Sequence, residues 1–148
     1  MDGLSVAANL IAVLDATHEI IKLCYDFRAA LKQSPWALTR ILDEVTQLQT
    51  IIRQIEELSN RVDSNTSGTR LTVLCNPENG VLLRCIGVLK DLSKLLESSV
   101  LRGKEGSKRR ALIQTLGWRL KDSEVTAYLD RLQQCKATLH LALTADEA

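Results

Sequence analysis

Two histidines, four cysteines and eighteen acidic residues are the side chains with the reactivity for metal binding, nucleophilic attack or proton transfer. Their spacing favours none of these. Cys24, Cys75, Cys85 and Cys135 lie far apart with no CxxC pair, and His18 and His140 stand at no metal-like spacing. Three of the four thiols fall inside apolar periodic runs, the habit of buried free cysteines in a reducing cytosol. The adjacent acidic pair Glu56-Glu57 diverges by about 100° around a helical turn. The other carboxylates read as solvated partners of Lys and Arg on outer helix faces. There is no Walker A loop, no GxGxxG after a strand, no GxSxG, no HExxH and no Glu-x-x-His of the di-iron bundle type. The sequence therefore predicts no enzyme, no cofactor and no metal.

The elements that would carry any other function are helical. A chain of 148 residues, 45% hydrophobic, is long enough for one domain with a sizeable core. With aromatics at only 3%, that core must come from Leu, Ile and Val. A net charge of +1 argues against nucleic acid as a partner, which usually calls for a strong global excess of Lys and Arg.

From Gly3 to Leu14 the chain reads GLSVAANLIAVL, apolar on nearly every side. A surface helix needs one apolar stripe, not an apolar circumference. This segment is either packed deep among other helices or kept for a membrane or a partner chain. Met1-Asp2 lacks the basic flank of a secretory signal. A spanning helix needs about 18 apolar residues, and the run stops at Asp15. The pattern then continues through Thr17, Ile20, Cys24, Phe27 and Leu31, as one helix or as two abutting near Asp15–Thr17. His18, at that junction, reads as a partly exposed surface residue, with a pH-sensitive hinge as the sharper reading.

Ser34-Pro35 predicts a restart, with Ser as N-cap and Pro in the first helical position, and Trp36 is expected to close a bundle end. Leu38, Leu42, Val45, Leu48, Ile52, Ile55 and Leu58 then form an unbroken stripe backed by Ile41 and Ile51, leaving Arg40, Asp43, Glu44 and Gln47 outside it. Asp63–Thr69 is a loop by composition, and Leu71–Cys75 is the longest strand-like alternation. Asn76-Pro77-Glu78 repeats the capping logic before a third stripe of Leu82, Cys85/Ile86, Leu89, Leu92 and Leu96, ending near Arg102-Gly103. Asp122 or Ser123 caps a last helix with the stripe Val125, Tyr128/Leu129, Leu132, Cys135, Leu139 and Leu143. The predicted fold is all-α, a single domain over 1–148 built as a bundle of four main helices, the first of them split or preceded by a short extra one.

Between the last two stripes, Arg102 to Lys121 carries seven basic residues against one acid, Glu105. Lys108, Arg109, Arg110, Arg119 and Lys121 form a basic patch with two readings. It meets anionic lipid headgroups, each cation near the surface worth about 1 kcal/mol, or it is a solvated inter-helix loop. Trp118, within it, is either an interfacial ring or an anchor pinning that loop to the bundle.

The start MDGLSVAANLIAVLDATHEIIKLCYDF, the middle helix LTRILDEVTQLQTIIRQIEEL and the step GWRLKDSEV leading into YLDRLQQCKATLHLAL resemble the HeLo-like N-terminal domains of fungal STAND (NOD-like) receptors. The likeness runs from Met1 to about Leu143, with Gly3 where that family more usually has Pro. It implies a helical bundle related to fungal HeLo domains and to the four-helix executioner domain of animal necroptosis. It also implies a cytoplasmic domain of a larger receptor protein, or one paired with a cognate receptor. On activation such a domain self-associates, moves to the plasma membrane and permeabilises it, in immunity, heterokaryon incompatibility or programmed cell death. Carried onto this chain, the membrane-targeting residues would be Leu4, Val6, Ala7, Leu10, Ile11, Val13 and Leu14. A twelve-residue helix spans only about 18 Å of a hydrocarbon core about 30 Å thick, so insertion would recruit later residues or thin the bilayer within an oligomer. The reading from another class is a soluble helical adaptor that works through its helix faces without touching lipid. A bundle with a ligand cavity is a third.

Overall fold

The computed structural model describes residues 3–33, 35–61, 80–98 and 107–147. These residues are all helical apart from short connections, with no strand among them. Five helices follow in order: α1 (Gly3–Ala30), α2 (Trp36–Arg61), α3 (Val81–Ser98), α4 (Ser107–Leu116) and α5 (Asp122–Glu147). The expected loop at Asp63–Thr69, the alternation Leu71–Cys75, the cap Asn76-Pro77-Glu78 and the Arg102-Gly103 stop lie outside the described residues.

α1 is one continuous helix of 28 residues, as a stretch with no Gly or Pro between Leu4 and Leu31 allows. α2 starts one residue later than the Ser34-Pro35 signal places it. The Pro35 carbonyl accepts the first helical bonds, from the Leu38 and Thr39 amides at 3.1 and 3.3 Å. Pro35 thus takes the cap position, where its missing N–H costs nothing. α5 starts one residue earlier than expected, with the Lys121 carbonyl accepting from Glu124 and Val125 at 3.1 and 3.2 Å. Asp122 and Glu124 then sit in its first turn, on the positive end of the helix dipole.

The stripes read from the sequence converge on one core. Leu10, Val13, Ile20, Cys24 and Phe27 meet Leu38, Ile41, Val45, Leu48, Ile52 and Ile55, and beyond them Leu82, Cys85, Leu89, Leu92 and Leu96. Val125, Leu129, Leu132, Cys135, Leu139 and Leu143 close it from α5. The four long helices contact one another cyclically: α1 packs on α2 and α3, and α5 packs on the same two. Thr17, fully buried on α1, is satisfied in place. Its hydroxyl donates to the Leu14 carbonyl at 2.7 Å and accepts from Gln49 of α2 at 3.2 Å.

Three expectations need correction. The basic stretch is not all loop, because Ser107–Leu116 is helical and puts Ile113 into the core. Trp36 closes nothing. It is 59% exposed on the solvent side of the first turn of α2, while Ala37 and Leu38 turn inward, and the Arg40 guanidinium lies 5.9 Å from its ring centroid. Glu44 is not on an outer face but buried at 4% exposure, covered by polar side chains of α5.

Candidate functional site

The apolar N-terminal segment faces inward as far as its side chains are described. Leu10 and Val13 are core residues, Leu14 is half-buried against the core, and Ile11 is 53% exposed. Leu4, Val6 and Ala7 lie on α1, with side chains outside the described set. Ile11 opens an outer row that continues through Asp15, His18, Lys22 and Tyr25, the i, i+4, i+7 spacing of one helix face. His18 is therefore a surface residue, as the periodicity predicts, and His140 is exposed on α5. Among the described residues no group of three or more His, Cys, Asp or Glu is placed to hold a metal. No described helix is long and apolar enough to cross a membrane.

The basic patch divides. Lys108 and Arg109 lie on α4, their side chains outside the described set. Arg119 and Lys121 are exposed on the short link between α4 and α5. Arg110 is different, because its Nε donates to Asp26 Oδ1 of α1 at 3.1 Å. The neighbouring residue of α1, Phe27, meets Trp118 edge-on, with ring centroids 5.3 Å apart and planes at 78°. Such aromatic pairs contribute about 0.5–1.5 kcal/mol beyond the area they bury. Trp118 is thus the anchor of the two readings, and what it grips is α1. Its indole N–H has no hydrogen-bond partner, so the docked position leaves one donor unsatisfied, at a cost of about 1–3 kcal/mol.

The link can make this contact because Gly117 turns the chain after α4. Its φ is +75°, and its N–H donates to the Ile113 carbonyl at 2.7 Å, the single bond of a left-handed helix cap. Without a side chain, glycine adopts this conformation freely. α4 and Trp118 together form a strap across the C-terminal half of α1, through Arg110 on Asp26, Trp118 on Phe27 and Ile113 in the core.

On the opposite side, α2 and α5 share a polar cluster that periodicity missed. Lys136 donates from Nζ to Glu44 Oε2 at 2.8 Å and to Gln47 Oε1 at 2.6 Å. Gln133 donates to Glu44 Oε1 at 3.1 Å, and Arg40 lies 3.6 Å from the same oxygen. Burial alone would raise the Glu44 pKa. The hydrogen bonds from Lys136 and Gln133 and the charges of Lys136 and Arg40 outweigh it and hold the carboxyl below its ordinary value. The sequence trace of this cluster is a carboxylate one position from the Val45 stripe with Arg40 four residues before it, while Lys136 and Gln133 arrive from another helix.

No protein-family model matches the chain, and neither a curated protein nor a solved structure matches it.

Proposed function

We propose that this domain is a non-enzymatic signalling effector that self-associates and acts at membranes through α1. In this reading the four long helices form a four-helix bundle with α4 strapped across α1, and a larger receptor-like protein carries the trigger. The observation that carries it is the state of α1, an apolar helix packed between α2 and α3 and held by a short strap whose neighbouring residues are cationic. Each Leu or Ile that leaves the core for a bilayer exchanges one apolar environment for another, keeping about 1.5–3 kcal/mol of burial. A helix with two such destinations can be switched by a trigger that favours the second. Arg119 and Lys121, exposed beside the strap, would meet anionic headgroups as it lifts. The resemblance to HeLo-like domains points the same way, to fungal immunity or incompatibility.

The second reading is a soluble adaptor that recruits partners through its helix faces. It is favoured by Leu10 and Val13, which are spent on the core, and by the lack of a described helix able to span a bilayer.

Ile11 separates the two because it is exposed and its replacement spares the core. Dye release from liposomes containing anionic phospholipid is compared for the intact chain and Ile11→Glu, each also fused to a tether that forces oligomers. The effector reading expects release by the tethered intact chain and at least a tenfold loss in Ile11→Glu, with unchanged circular dichroism and melting. No release by the tethered intact chain, or equal release by both, would reject it.

A further inference from the structure

The outer row of α1 has a pattern that the bundle does not use. Ile11, Asp15, His18, Lys22 and Tyr25 alternate steps of four and three residues, and the exposed alanines Ala8 and Ala29 continue the alternation at either end. A repeat of 3.5 residues keeps one seam of a helix turned towards a neighbouring helix, as in a two-stranded coiled coil. Among the described residues no helix covers this seam. All seven positions are exposed, and the strap holds α1 at Asp26 and Phe27 instead. Among the described residues, too, Asp15 and Lys22 join no ion pair within the chain.

The order of side chains along the seam is apolar, acid, imidazole, base, apolar. Read backwards, it exchanges the acid with the base and Ile11 with Tyr25. Two copies laid parallel would oppose Asp15 to Asp15 and Lys22 to Lys22, and like charges across a seam select against that arrangement. Two copies laid antiparallel, with His18 near the two-fold axis, bring each Asp15 within about one helical turn of Lys22 of the second copy. One symmetry operation makes this favourable contact twice. Ile11 and Tyr25, each 53% exposed, then cover one another at both ends. We propose that α1 pairs in this way with α1 of a second copy of the chain while the bundle is still closed. From Ala8 to Ala29 the seam runs about 32 Å, and one helix per side buries less than the standard of about 800 Å² per partner. The dimer is therefore weak and concentration-dependent. It gives the self-association of the proposed function a surface, and it rests on that part of the reading.

The test is sedimentation equilibrium of the purified full chain without lipid, from low to high micromolar concentration. The unaltered chain should show a monomer–dimer equilibrium. Asp15→Lys and Lys22→Asp each set like charges across the seam twice, and each should weaken the dimer about tenfold or more. Both positions are exposed, so circular dichroism should not change. Mixed in equal amounts, the two variants should pair with each other, because one then carries only bases and the other only acids at these positions. A monomer at every concentration, a dimer indifferent to both variants, or a mixture that stays monomeric would each overturn the pairing. Liposome release by the tethered chain without a lipid-free dimer would reject this surface and leave the membrane reading standing. A charge-dependent dimer without such release would do the reverse.

Discussion

The molecule uses an ion pair at two helix seams, and the two are built for different purposes. At the α2–α5 seam Glu44 is buried, with its side chain only 5% exposed, and it receives Lys136, Gln133 and Arg40 between two full apolar stripes. At the α1–α4 seam Arg110 is 54% exposed, and α4 adds Ile113 to the core beside it. An exposed pair contributes about 0–1 kcal/mol. Breaking a buried one by removing a partner costs about 3–5 kcal/mol, because a charge is left uncompensated. The ion pair of the first seam is therefore the costlier to break, and the second seam rests more on Ile113 and the Trp118–Phe27 contact than on its charges.

The largest expected effect comes from breaking the buried seam. Glu44→Ala strands Lys136, whose side chain is 21% exposed, and should cost about 3 kcal/mol in urea denaturation. A loss below about 1 kcal/mol would put the cluster in the same class as the surface pair. The same carboxylate sets a pH signature. Its folded pKa lies below the unfolded one, so its contribution is complete above the ordinary carboxylate range near pH 4.3. That contribution fades as the pH falls through the folded value. Stability profiles from pH 7 to 3 should fall less steeply for Glu44→Gln than for the unaltered chain, and parallel profiles would remove Glu44 from the acid response.

Of intermediate size is Gly117→Ala. Nothing crowds the added Cβ, so the cost is the positive φ, about 1–2 kcal/mol. It should appear in hydrogen exchange as faster exchange over α4 and unchanged protection at the α2–α5 seam. Uniform acceleration would mean that the strap and the core open together. The smallest effect belongs to Arg110→Ala, at most about 1 kcal/mol. In the liposome assay it should raise release, since it loosens α1 and leaves the core alone. A drop in release with an unchanged melt would make Arg110 a lipid contact instead.

The difference between the seams also explains what the sequence could disclose. The stripes of α2, α3 and α5 were legible because burial repeats every three or four residues, and Leu82, Leu89, Leu92 and Leu96 are buried as that period requires. α4 was not, because SKRRALIQTL is dense in charge, and it and the following Trp118 dock on Asp26 and Phe27, more than eighty positions away. Glu44 failed for the same reason. Local period places it outside the stripe, and only the register of α5 against α2 buries it, through a partner 92 residues distant. Cys85 and Cys135 were each legible as core residues, and both are buried. The choice posed by GLSVAANLIAVL was half answered, since Leu10 and Val13 point inward and Ile11 does not.

The cyclic contact of the four long helices bears on reaction order. α1 lies between α2 and α3, so a copy that frees it bares an apolar flank on each. The departing residues, among them Leu10, Val13, Ile20, Leu23 and Phe27, represent on the order of 10 kcal/mol of burial, similar to the whole stability of a domain, about 5–15 kcal/mol. One molecule alone would unfold at that expense. In the proposed self-association, a second copy laying its own bared flank against the first would remove most of it. Opening should therefore run at a rate that rises with the square of protein concentration, and dilution should hold the domain shut.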